Sequence, residues 1–313
     1  MVDEINNQNI IQEEIESKKE EINPSEEDLS VEIKERAQKL FNFLKKKEIN
    51  AYIESDFYKL INETKPNKIK FLADKQFDIL DKSFDLLISI GGDGTILRAI
   101  TFIKDLGIPI IGINTGRLGF LATIQVNEIE SAIQNIIDGK YKISERNLLT
   151  IKTSVENKDI GELNFALNEI AVSRKNTTSM ITVETHLNGE YLTSYWSDGL
   201  IISTATGSTG YSLSCGGPVI TPDTNSFVIT PIAPHNLSAR PLIITDSTEI
   251  QLKVSGREES HLVSLDSRIA TLENGTIITI NKAPFKIKMI DLLNESFLTT
   301  LRKKLLWGED KRN

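Results

Sequence analysis

Asp85-Leu86-Leu87-Ile88-Ser89-Ile90-Gly91-Gly92-Asp93-Gly94-Thr95-Ile96-Leu97-Arg98-Ala99-Ile100 is the stretch on which the fold of this 313-residue chain turns. A β-prone run passes into three glycines around Asp93 and then into an apolar pattern that suits a helix. Strand, tight turn and helix start in that order aim several backbone N–H groups at one point, which makes a seat for phosphate. A carboxylate in the middle of such a seat repels an anion, so Asp93 needs a reason to be there. Two chemistries supply one: handling a metal ion, or taking a proton from a hydroxyl about to attack phosphorus. A phosphate cradle with its own base points to phosphoryl transfer.

Outward from this stretch, Ile108–Ile113 reads as a second buried strand that runs into the glycine turn Asn114–Phe120, and 127–139 reads as a helix with Ile129, Ile133, Ile136 and Ile137 on one face. Strand, helix, strand, helix is the pattern of a parallel α/β sheet, whose ligands sit at the carboxyl ends of the strands. Upstream, Ile33, Ala37, Leu40, Phe41 and Leu44 recur at helical spacing. Asn50–Ile53 reads as a short strand and Phe57–Ile61 as a helix. Beyond Tyr141 the pattern changes to short alternating runs at 149–153, 170–173, 181–187, 200–204, 226–230, 250–254, 261–265, 276–280 and 285–289. Asn188-Gly189 and Asn274-Gly275 suit hairpin turns. The predicted fold is an α/β N-terminal domain with a parallel sheet over 31–143, followed by a β-rich, sandwich-like domain over 144–290. A C-terminal helix within 291–313 is expected to return to the first domain.

Composition narrows the class. The net charge of −8 is concentrated in residues 1–32, where eleven acids face only Lys18 and Lys19, and the rest of the chain is close to neutral. Residues 1–30 are expected to form an acidic, disordered tail. A near-neutral body offers no basic surface for duplex nucleic acid. No apolar run is long enough to span a bilayer. The single cysteine, Cys215, fits a reducing cytoplasm and reads as a small packing residue. Three scattered histidines and one thiol do not build a structural zinc site, so no metal-ligating residues are assigned.

A second rich segment is Ser197-Asp198-Gly199, a strand, then Thr204–Ser214, dense in hydroxyls and glycines. Asn168-Glu169 sits where a strand begins; a carboxylate with an amide suits a vicinal diol, and equally a turn. Asp198 reads either as a turn former or as an acceptor for a base amino group. Arg98 and Arg117 read as surface cations or as phosphate ligands. His235, among prolines, reads as structural, and His186 and His261 carry no signal. The Walker A spacing is absent, as is a Gly-x-Gly-x-x-Gly fingerprint followed by a ribose-binding acid.

Taken together, Gly91–Thr95, Asn114–Ala122, Asn168-Glu169, Ser197–Gly199, Thr206–Tyr211 and Pro234–Pro241 resemble the NAD kinase family in order and spacing, over about residues 31–307. The glycine loop alone is shared with diacylglycerol-type lipid kinases and, in part, phosphofructokinases; the ordered set is specific. The resemblance implies that Asp93 is the general base for the adenosine ribose 2′-hydroxyl of NAD, which attacks the terminal phosphorus of ATP to give NADP and ADP. A divalent cation, Mg2+, would screen the phosphates. Carried over residue by residue, Asp93, Gly94 and Arg98 border the reacting groups, and Asn168, Glu169 and Asp198 hold ribose and base. Thr209, Gly210, Tyr211, Ser212, Leu213 and Ser214 line the same pocket. A homodimer or homotetramer is implied as well.

Four features depart from the family's pattern. The family commonly opens with a short strand where residues 1–30 stand here. Gly210 takes a place often held by alanine, Trp196 precedes Ser197-Asp198 at a variable position, and Arg268 stands where glutamine is common. Two other readings are a diacylglycerol- or sphingosine-type lipid kinase, which would need an apolar acceptor tunnel, and a non-catalytic NAD-sensing module. Against the sensor stands Asp93, since a pure binder gains nothing from an anion beside phosphate.

Overall fold

The helix expected to begin at Val31 runs from Glu26 to Lys46 (α1) in the computed structural model, which describes residues 26–63, 71, 73, 75–116, 118–176, 179–293 and 295–307. The rest of the acidic tail and Arg117 lie outside the described residues. The chain divides into two compact units, Met1–Asp78 and Ile79–Asn313.

In the first unit, a short strand (β1, Ile53–Glu54) leads into a helix (α2, Ser55–Glu63), and β1 pairs in parallel with β2 (Gln76–Phe77). The strand begins three residues after the expected start at Asn50. Glu54 explains that placement: its carboxylate accepts from the N–H groups of Asp56 and Phe57 and so caps the helix that follows. Phe71 is fully buried, with Phe41 edge-on at 5.2 Å and Tyr58 at 6.0 Å between centroids.

The second unit begins with the decisive stretch. β3 (Leu87–Ile90) pairs in parallel with β4 (Ile110–Ile113), and α3 (Asp93–Ile103) connects them. A short 3-10 turn (Val126–Glu128) and α4 (Ile129–Ile137) follow. Then come β5 (Tyr141–Thr153), β6 (Phe165–Ala166), β7 (Glu169–Ser173), β8 (Ile181–Leu187), β9 (Glu190–Ser197) and β10 (Gly199–Thr204). A 3-10 turn (Thr206–Thr209) and the single-turn α5 (Tyr211–Ser214) precede β11 (Ser226–Ile232), β12 (Leu242–Thr245), β13 (Ile250–Ser255), β14 (Ser260–Leu265), β15 (Arg268–Glu273) and β16 (Ile277–Leu292). The two runs expected at 276–280 and 285–289 are one strand, β16, whose register against β5 shifts between Lys282 and Lys286.

Two sheets result. One orders its strands β12-β11-β10-β7-β14-β15; the other runs β3-β4-β16-β13-β8-β9, with β5 also on β16. The α/β part and the β-rich part are both present, and the boundary expected at 143/144 falls inside β5. β16 is long enough to pair with β13 at one end and, in parallel through Met289, with Ile110 of β4 at the other. Ile170, Val172, Leu200, Ile202 and Phe227 on one sheet pack on Leu149, Val183, Leu252, Val254 and Ile280 on the other. Alternate residues of strands on both sheets therefore face a shared interior, the geometry of a sandwich. Each such buried aliphatic contributes about 1.5–3 kcal/mol of burial free energy.

The last helix, α6 (Phe297–Leu305), is capped at its start by Ser296, whose hydroxyl accepts from Thr299 N–H, and stops at Leu306 in the left-handed conformation. Its Phe297 ring lies 6.2 Å from Phe120, and Lys304 Nζ sits 5.9 Å from the same ring. Among the described residues no helix is long and apolar enough to cross a membrane.

Candidate active site

The first glycine turn is tied to the second strand before any side chain acts, because Gly91 N–H donates to the Ile113 carbonyl at 2.9 Å. Gly92 is the N-cap of α3 in extended conformation and offers no side-chain cap, so the helix N-terminus is left open. Asp93 is the first residue of α3 and half-buried. Its Oδ2 accepts Phe120 N–H at 2.8 Å, and its Oδ1 accepts Leu121 N–H and Ala122 N–H, each at 3.0 Å. Gly119 makes this approach possible, since a Cβ there would lie 1.9 Å from Asp93 Oδ1. The buried Asn114 completes the loop by accepting Gly116 N–H at 2.7 Å and donating to the Ala122 carbonyl at 3.2 Å. Gly94 and Arg98 are exposed on α3, and Arg117 lies outside the described residues.

A second cluster forms where β7 starts. Glu169 pairs with Ser203 of β10, and Thr204 holds the preceding segment by donating its N–H to the Asn168 carbonyl and its hydroxyl to the Leu167 carbonyl. Gly207 closes the turn against this backbone: a Cβ would meet the Asn168 carbonyl oxygen at 2.0 Å. The Ser208 hydroxyl donates to the Ala205 carbonyl and accepts Ile220 N–H, which pins the hydroxyl-rich loop. The result brings Asn168 and Glu169 up to Gly210, where an added Cβ would lie 2.9 Å from Glu169 Oε2 and 3.5 Å from Asn168 Nδ2.

Among the described residues, Asn168 Oδ1 and Glu169 Oε2 are buried without a partner, as is the hydroxyl of Ser203 opposite Glu169. Glu169 is 8% exposed. Burial, reinforced by the nearby Asp266 charge, raises its carboxyl to about 7, against the downward pull of Tyr211 N–H. Tyr211 and Cys215 hydrogen-bond each other beside Glu169, and burial, with that charge, raises both groups.

The remaining sequence-predicted residues divide. Asp198 forms an ion pair with Arg174 at 2.9 Å, and its charge also acts on Tyr211. Thr209 donates to the Thr206 carbonyl, and the Ser212 hydroxyl is shared with Thr230 at 2.8 Å, so both hydroxyls serve the loop itself. Leu213 is half-buried and Ser214 exposed on α5. The His235 ring lies 4.3 Å from that of Trp196, tilted by 44°. Among the described residues, Asp93's carboxylate partners belong to residues 120–122, a separate cluster from that around Asn168 and Glu169.

Asp266 escapes a reading by sequence alone. It occupies a left-handed turn position (φ 54°) between β14 and β15, and its carboxylate accepts the N–H groups of Leu167, Asn168 and Glu169. Its one visible signal is an acid at a two-residue hairpin turn, which many hairpins share. Arg268 donates to the carbonyls of Leu163 and Phe165, so its guanidinium is engaged with backbone.

Comparison with known proteins agrees with this geometry. Residues 7–141 match the model of the ATP-NAD kinase N-terminal domain and residues 167–292 that of the ATP-NAD kinase C-terminal domain. The chain is 61% identical over 275 residues to the NAD kinase of Flavobacterium psychrophilum, covering 88% of this chain and 94% of that one. It is 61% identical over 274 residues to the NAD kinase of Christiangramia forsetii, with 88% and 93% covered. Among solved structures, yeast NADH kinase complexed with NADH superposes with a TM-score of 0.75 at 25% identity, covering 89% of this chain and 85% of that one. An NAD kinase from Archaeoglobus fulgidus in complex with ATP gives 0.63 at 29% identity, over 82% and 98%. With both domain models matched in order and relatives at this identity along nearly their whole length, the chain belongs to the NAD kinase family.

Proposed function

We propose that the protein transfers the terminal phosphoryl group of ATP to the 2′-hydroxyl of the adenosine ribose of NAD, giving NADP and ADP. The observation that carries this reading is the pair of buried, unpartnered oxygens of Asn168 and Glu169. Unmet buried acceptors are costly, so the pocket is built for a ligand that brings donors, as a ribose diol and a base amino group do. Asp198 and residues Thr209–Ser214 border the same pocket.

Asp93 is the general base in this proposal. A carboxylate has about four lone-pair positions. Backbone N–H groups occupy two on Oδ1 and one on Oδ2, which leaves Oδ2 a position for the proton of an attacking hydroxyl. The uncapped N-terminus of α3, flanked by the exposed Gly92 and Gly94, receives phosphate, and Arg98 one turn on adds positive charge. Among the described residues no group of three or more His, Cys, Asp or Glu is placed to hold a metal ion. In this reading Mg2+ enters as part of the Mg–ATP substrate, held mainly by phosphate oxygens.

The reading extends to the molecule's setting. A cytoplasmic location accords with one free cysteine. A homodimer or homotetramer accords with the exposed apolar Leu237 and Ile243, the latter on the sheet-edge strand β12, and light scattering of the purified protein tests it. A coupled assay with Mg2+ and either ATP or polyphosphate, offered NAD, NADH or an emulsified diacylglycerol, tests the function. NADP or NADPH formed with no lipid product supports it; lipid phosphorylation, or NAD binding with no turnover, overturns it.

A further inference from the structure

We infer that Asp266 and Arg268, at the two ends of the β14–β15 hairpin turn, form a clamp on the backbone of Leu163–Glu169 that positions Asn168 and Glu169 for the dinucleotide. The inference rests on the assignment of those two residues to NAD. Arg268 donates to the Leu163 and Phe165 carbonyls, two residues apart and therefore on one side of an extended segment. Asp266 takes the other end: Oδ2 accepts Leu167 N–H at 3.0 Å, and Oδ1 accepts Asn168 N–H at 2.8 Å and Glu169 N–H at 3.2 Å. Asp266 N–H returns a bond to the Glu169 carbonyl at 2.9 Å. The guanidinium also lies 5.4 Å from the ring of the buried Phe165, itself edge-on to Phe285 at 5.2 Å.

The two charges divide the labour by sign. A cation gathers carbonyls and an anion gathers N–H groups along the same short segment, and charged partners make these the stronger hydrogen bonds of the region. The planar fork of arginine serves two carbonyls at once, which a lysine ammonium on a flexible stem does not. Because the segment is held at both ends, Asn168 and Glu169 at its end reach Gly210 with Asn168 Oδ1 and Glu169 Oε2 still unpartnered among the described residues. At the position where glutamine is common in the family, Arg268 thus serves backbone carbonyls. Arg268 and Asp266 are positioning residues, acting through Asn168 and Glu169.

The test is a double-mutant cycle on steady-state kinetics with NAD and Mg–ATP, using Arg268→Ala, Arg268→Lys, Glu169→Ala and the double variant Arg268→Ala/Glu169→Ala. The clamp predicts that Arg268→Ala raises the NAD KM about tenfold with kcat within about twofold, and that Arg268→Lys recovers only part of the loss. In the Glu169→Ala background the same arginine change should add clearly less than about tenfold, the remainder acting through Asn168. An unchanged NAD KM in Arg268→Ala, or a full multiplicative loss in the double variant, overturns the clamp. If Arg268→Ala does not fold, as thermal melting will show, the cycle is run with Arg268→Lys and judged by the same outcomes. Should Glu169→Ala alone leave the NAD KM unchanged, the assignment of the pocket fails, a result distinct from failure of the clamp.

Discussion

The carboxylates of Asp93 and Glu169 stand in opposite conditions. Asp93 is half-buried, and three backbone N–H groups from one loop hold it before any ligand arrives. Glu169 is more deeply buried, and one of its oxygens has no partner. The fold thus satisfies the group proposed to do chemistry and leaves unsatisfied the group proposed to bind. A base must be in place when the hydroxyl arrives, so its orientation is set in advance. A binding group gains specificity when only the right ligand completes its hydrogen bonds.

The contrast is broken most decisively at Asp93. Asp93→Asn keeps an acceptor for part of the loop and loses the base, so turnover should fall by on the order of 10²–10⁴-fold. NAD affinity by calorimetry should change little. Near-normal turnover would remove the base assignment and leave the loop contacts as the residue's whole role.

Acidity sharpens the other side. The Glu169 carboxyl sits at about 7 in the folded protein against an ordinary value of 4.5. Between these values the folded protein holds a proton that the unfolded chain has lost, so stability falls as pH rises through this window and is level above it. The span is on the order of 3 kcal/mol. The groups facing Glu169 are Asp266, whose charge adds to the effect of burial, Tyr211 N–H, which opposes it, and the Tyr211 hydroxyl and Cys215 thiol. Asp266 is itself raised by burial, against the pull of the three backbone N–H groups it accepts and of the Arg268 charge. Melting curves from pH 5 to 8 should therefore show a steeper loss in the wild type than in Glu169→Gln; equal slopes would sink this account.

Smaller effects follow at the pocket. Glu169→Ala should weaken NAD binding about tenfold while leaving the ATP KM close to its wild-type value, as expected for one hydrogen-bonded group removed. An equal rise in both constants would mean the residue supports the fold rather than the dinucleotide. Gly210→Ala places a methyl 2.9 Å from Glu169 Oε2 and should shift the NAD KM by only about two- to fourfold, since the carboxylate tip can move aside. A much larger change would show that the Glu169 carboxylate is held more rigidly than its missing partner implies.

Much of this architecture was legible along the chain. The parallel pair β3 and β4, the open helix N-terminus at Asp93 and the hairpin at Asn188-Gly189 (φ 50° and 81°) follow local patterns. β9, β12 and β15 escaped because Glu190–Ser197 mixes four polar with four apolar or aromatic residues without strict alternation, Leu242–Thr245 is a short exposed edge, and Arg268–Glu273 carries charge at both ends. An edge or half-exposed strand draws its identity from its neighbour's hydrogen bonds, which no local pattern records.

By itself the sequence singled out the glycine loops and the hydroxyl-rich run that the proposal assigns to phosphate and dinucleotide, because glycine turns, helix starts and such runs act through nearby backbone. Only the tertiary structure decided that Asp93 closes on Phe120, Leu121 and Ala122, that Asp266 and Arg268 grip the segment before β7, and that Glu169 is left short of a partner. Those contacts join residues 27 to 105 positions apart. Their energies depend on burial and on donors brought from other elements, and both exist only once the sheets have packed.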